Sequence, residues 1–101
     1  MIKHVVMWKL KDQELGRTKK ENALEIKNRL TALIGIIPEI VSMEIGINVN
    51  DTDPLAYDAV LIMTFNSMED LSIYKNHPEH LKVSSFVKQV RVSRTVVDYR
   101  F

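Results

Sequence analysis

Tyr74, His77 and His80 form the densest set of titratable side chains with catalytic potential in the chain. A neutral imidazole can take a proton from a carbon flanked by carbonyls, and a phenol can steady the enolate that develops. On an unbroken helix Tyr74 and His80 would stand about 120° apart. Pro78 changes that geometry. It disfavours helical backbone at His77 and suits the first position of a new helix. His77 is therefore expected near a cap and His80 in the first turn of a restarted helix, with the bend swinging His80 towards the ring of Tyr74. The positive end of a helix disfavours an imidazolium, so His80 should be less basic than an ordinary histidine.

Plainer roles exist for the same residues. Tyr74 follows Leu71 at helical spacing, as a core residue with its hydroxyl at the rim would. His77-Pro78 also suits a simple cap and bend. His4 shares a strand face with Val6 and Trp8, which fits either a hydrogen-bonded core histidine or a residue lining a pocket. Tyr74 and His80 are thus the candidate catalytic pair, and His4, Trp8 and His77 the candidate binding residues.

Oxygen and nitrogen donors that could ligate a metal gather at His77, Glu79 and His80 and in the loop 50–53. Neither has the spacing of a zinc or calcium site, and no metal or cofactor is expected. A Ser-His-Asp triad, a P-loop and a dinucleotide fingerprint are all missing. The chain has no cysteine, which removes disulfides, thiolate ligands and a Cys nucleophile together and suits a reducing compartment. The first nine residues alternate in character and lack the apolar core of a signal peptide. No apolar run approaches the ~18 residues that span a bilayer. A cytoplasmic location without membrane contact is expected. A net charge of +1 gives no electrostatic reason for a nucleic-acid partner.

Positioning these side chains requires a fold, and the chain's patterning supplies one. With 101 residues, 46% hydrophobic and 27% charged, residues 1–101 are expected to form one globular domain. Residues 2–11 alternate, with Ile2, His4, Val6, Trp8 and Leu10 on one face, and predict a strand. Residues 12–16 are a polar break. Ala23, Ile26, Leu30, Leu33 and Ile37 recur at helical steps and predict an amphipathic helix over about 18–34, stopped by Gly35 and Pro38. A second strand over about 39–49 is apolar on one face only, which suits a sheet edge, and a loop follows at 50–54. A third strand over 57–66 is apolar on both faces and belongs in the middle of the sheet. Ser67 and Asp70 resemble a reciprocal capping box for a second helical region, interrupted at Pro78 and running to about Lys88. A last strand covers about 89–99.

The order β-α-β-β-α-β is the ferredoxin-like arrangement: an α+β domain with a four-stranded antiparallel sheet and two helices on one face. The first and third strands also carry apolar residues on the face the helices cannot cover. A second copy of the sheet is the simplest cover, so the domain is expected to pair with itself into a homodimer.

Along its whole length the chain resembles the stress-responsive dimeric α/β-barrel family, the Dabb domains. The resemblance is carried by residues 2–11, Ile37-Pro38, Tyr57-Asp58-Ala59-Val60, Thr64-Phe65, the segment Leu71 to His80 and Val97-Asp98-Tyr99. It implies two protomers packed sheet against sheet into a barrel. It also implies, for the plant branch that cyclises polyketide chains without metal or cofactor, use of the residues matching Tyr74 and His80. That branch carries a further His early in the third strand, where this chain has Ala59. The reading preferred is a homodimer with a mostly apolar pocket near Tyr74 and His80 that binds or converts a small carbonyl compound. The alternatives are a non-catalytic stress or assembly protein and a cofactor-independent oxygenase of the related barrel type. An open pocket favours the first; a pocket filled by Trp8 and Tyr74 favours the second.

Overall fold

Strict alternation sets the first strand, β1 (Ile2–Leu10), in which Ile2, His4, Val6, Trp8 and Leu10 are buried and the intervening side chains are not. The computed structural model describes residues 1–101. The polar break that follows is a small hairpin, β2 (Gln13–Glu14) and β3 (Arg17–Thr18). Its two-residue turn places Leu15 and Gly16 at φ 54° and 73°, a conformation that glycine accepts freely and leucine does not. Asn22, fully buried, donates from its side-chain amide to the Glu14 carbonyl at 3.1 Å and ties the hairpin to the next helix.

That helix, α1 (Lys19–Thr31), starts on a complete capping box. Thr18 accepts from the Glu21 amide at 3.2 Å, and the Glu21 carboxylate accepts from the Thr18 amide at 3.0 Å. Its buried stripe of Ala23, Ile26 and Leu30 packs on the sheet. The predicted helix over 18–34 ends in a 3-10 turn, Ala32–Gly35. The reciprocal box expected at Ser67 is half formed: Ser67 accepts from the Asp70 amide at 3.1 Å, and no return bond is made.

The strands β4 (Ser42–Ile47) and β5 (Ala59–Phe65) are shorter than their sequence patterns. Asp58, just before β5, accepts through its carboxylate from the Leu10 amide at 2.7 Å and meets Lys19 at 3.6 Å. The second helical region is two helices, α2 (Met68–Asn76) and α3 (Pro78–Val90), divided at His77. α3 runs past the predicted Lys88, because Val83, Phe86, Val87 and Val90 form one buried stripe that breaking at 88 would cut. The last strand, β6 (Arg91–Arg100), accordingly starts two residues later than expected.

All four long strands are antiparallel, in the order β4-β5-β1-β6. The second strand of the sequence pattern is indeed an edge, and β1 and β5 are central. Register fixes both faces. His4 sits between Met63 and Asp98, and Trp8 between Ala59 and Arg94, all on the helix side. On the other side Val5 stands between Ile62 and Val97, and Met7 between Val60 and Thr95, with no element of the chain covering them. This is a ferredoxin-like α+β fold with one apolar face of its sheet left bare.

Candidate functional site

His77 sets up the site. Its ψ of 134° is the extended backbone that a residue before proline prefers, so α2 must stop there. Pro78 then opens α3, where its missing N–H is no loss. His77 is the cap of this second start: its Nδ1 accepts from the Glu79 amide at 3.1 Å. It therefore lies at the helix junction and not in the pocket described below.

The break carries His80 back over α2. Its ring centroid lies 4.3 Å from that of Tyr74, with 44° between planes. Nδ1 of His80 is 3.0 Å from the Lys75 carbonyl, an acceptor only, so Nδ1 carries the proton and Nε2 is left with a free lone pair. Burial lowers the pKa of His80, outweighing the opposing bond to Lys75; His4, Arg94 and Lys75 lower it further by charge. Burial and neighbouring charge cause this shift, in place of the helix start expected from the sequence.

Tyr74 is buried against Phe65, whose ring centroid is 5.3 Å away, and its hydroxyl has no hydrogen-bond partner. Burial raises the phenol well above its ordinary range, only partly offset by Arg94. The group stays a protonated donor. Across from it, His4 is 2% exposed, 6.3 Å centroid to centroid from Tyr74, and bonded through Nδ1 to Asp98 at 2.5 Å. Burial again lowers its pKa, against the pull of the Asp98 bond and charge. Desolvation wins, so a neutral His4 donates to the Asp98 carboxylate. The site thus holds two neutral imidazoles, each with Nδ1 engaged, near a protonated phenol.

These groups share one pocket of about 280 Å³ between the sheet and helices α2 and α3. His4, Trp8, Tyr74 and His80 line it, over a floor that includes Val6, Leu61 and Val87. Trp8 and Tyr74 form walls and do not fill the space. The Trp8 Nε1 donor is also buried without a partner. Ala59 faces Trp8 across the strand pair and is buried, so the pocket's second imidazole comes from β1 and not from β5. His77, Glu79 and His80 do not converge into a group that could hold a metal ion.

Sequence reasoning missed Asp98, Arg94 and Lys75 as members of the site. Asp98 lies 94 residues from His4 in the chain. Only the β1–β6 register brings the two together.

Fold and pocket together define a ferredoxin-like α+β domain with a cleft under its helices. The chain belongs to the Stress responsive A/B Barrel Domain family, whose model matches residues 2–101. A dimeric Bacteroides fragilis protein of unknown function and ferredoxin-like fold is 30% identical, with a TM-score of 0.87 over 99% of this chain and 95% of that one. An Arabidopsis thaliana protein is 22% identical at a TM-score of 0.82, covering 100% and 95% of the two chains. A hydroxynitrile lyase from Passiflora edulis is 19% identical at 0.80, covering 97% and 90%. The last two likenesses establish the fold alone. No match is found among curated protein sequences. No helix is long and apolar enough to cross a membrane.

Proposed function

We propose that the protein is a homodimer whose pocket binds a small carbonyl compound and moves a proton at the carbon beside the carbonyl, using its own side chains. The observation that carries this reading is the pairing of His80 with Tyr74. The ring whose Nε2 is free lies 4.3 Å from the phenol whose hydroxyl is unpartnered. His80 Nε2 takes the proton, and the electron pair moves onto the carbonyl oxygen. That oxygen, now an enolate, accepts a hydrogen bond from Tyr74. A neutral base and a protonated donor are what the step requires at pH 7, and burial keeps each group in that state.

A purely structural role for the cluster leaves two features without a purpose: the open pocket, and two donors buried on its wall without partners. The experiment is hydrogen–deuterium exchange at the α-carbon of a 1,3-dicarbonyl probe such as ethyl acetoacetate, followed by proton NMR in D2O. The protein should accelerate exchange above buffer, and the acceleration should vanish when the pocket is blocked. Exchange at the buffer rate for a range of linear and cyclic 1,3-dicarbonyls contradicts the reading.

A further inference from the structure

The pocket carries a charge pattern that proton transfer does not use. Lys75, Lys88, Arg91 and Arg94 line it, and no Asp or Glu does. The chain as a whole is nearly balanced, with 14 basic and 13 acidic residues, so the bias is local. None of the four takes part in an ion pair; the paired cations are Lys11, Lys19, Lys20, Arg29 and Lys82. Asp98, beside the pocket, is already engaged by His4.

Two of the four have an ordinary explanation. Lys75 and Lys88 stand in the last turns of α2 and α3, where a cation complements the negative helix end. Arg94 has no such explanation. It sits within β6, is the register partner of Trp8, and so leaves the sheet on the side of Trp8 and His4. Its side chain makes no hydrogen bond or ion pair, yet its charge is felt at His4, Tyr74 and His80 alike. A guanidinium over an apolar cleft, beside a buried indole donor without a partner, matches a planar anion on an apolar body.

We infer that the pocket selects amphipathic monoanions, a carboxylate on an acyl chain or small apolar body, with Arg94 receiving the carboxylate and Val6, Leu61, Val83 and Val87 holding the apolar part. This rests on reading the pocket as a ligand site and does not depend on proton transfer there.

Octanoate, 1-octanol and octylammonium share one tail and differ in head-group charge. Titrated into the full-length protein and followed by backbone amide NMR, octanoate should bind at least about tenfold more tightly than octanol, and octylammonium should not saturate. Arg94→Gln should erase the preference for octanoate. Arg100→Gln, on the same strand and face but outside the pocket, should keep it. Equal affinity for octanoate and octanol overturns the inference, as does no binding of either. A preference that survives Arg94→Gln, or falls equally with Arg100→Gln, overturns it too. Failed α-carbon exchange with an intact Arg94-dependent preference instead removes the proton-transfer reading and leaves this one standing.

Discussion

His80 packs its ring 4.3 Å from that of Tyr74 although the two are six residues apart and separated by a helix end. The arrangement depends on His77-Pro78. Without the break, helical geometry would turn the two side chains about 120° away from each other. The local sequence therefore decides whether a base and a hydroxyl donor meet.

Removing the Tyr74 hydroxyl should not weaken the fold. The group is buried without a hydrogen-bond partner, and a buried unsatisfied donor costs on the order of 1–3 kcal/mol. Tyr74→Phe should keep or raise the thermal midpoint while slowing α-carbon exchange about 10- to 1,000-fold. A clear drop in midpoint, read by calorimetry, would mean that the hydroxyl has a structural partner.

His77 should act on stability through its cap. His77→Ala removes the acceptor for the Glu79 amide and should cost about 1 kcal/mol, whereas His77→Asp should restore most of it. Urea denaturation reads both variants. Equal losses in the two would argue against capping.

The pH dependence has a definite sign. His4 and His80 both have folded pKa values below the ordinary 6.5, so the unfolded chain binds more protons as pH falls through that value. Their contribution is present above pH 6.5 and is lost as pH falls further. Glu21 and Glu25, also lowered, act in the same direction only near and below about 4.5. The urea midpoint should thus decline between pH 7.5 and 5.5, and His80→Gln should flatten the decline. A midpoint that rises on acidification would show that the histidines gain a partner when charged.

The bare sheet face should hold the dimer together. Val5, Ile62 and Val97 form one row across its centre. Ile62→Lys puts a charge in that row and should give a monomer by light scattering at micromolar concentration, where the parent chain should run as a dimer. A parent chain that runs as a monomer contradicts sheet-to-sheet pairing.

Much of this fold was legible in the sequence because its signals are local. Two-residue alternation located β1, a run apolar on both faces located β5 and put it in the middle of the sheet, and His77-Pro78 announced the helix break. What failed was equally physical. The hairpin at 13–18 is too short to show a period, and the end of α3 was set by burial of Val90 rather than by any stop residue. The Thr18–Glu21 capping box was spelled out in the sequence and went unread. In the site, Tyr74, His80, His4 and Trp8 could be picked by residue type and face. Asp98 and Arg94 could not, because their place beside His4 and Trp8 follows from a strand register spanning nearly the whole chain.

The central claim is that His80 and Tyr74 act as one unit on a proton beside a carbonyl. A double-mutant cycle on α-carbon exchange tests it most directly, with circular dichroism and light scattering confirming that each variant stays folded and dimeric. His80→Ala should reduce the exchange rate by about 10²- to 10⁴-fold, and adding Tyr74→Phe should cost little more, since a donor has no enolate to steady once the base is gone. Strictly additive losses, or a His80→Ala protein that exchanges at the parent rate, would contradict the account.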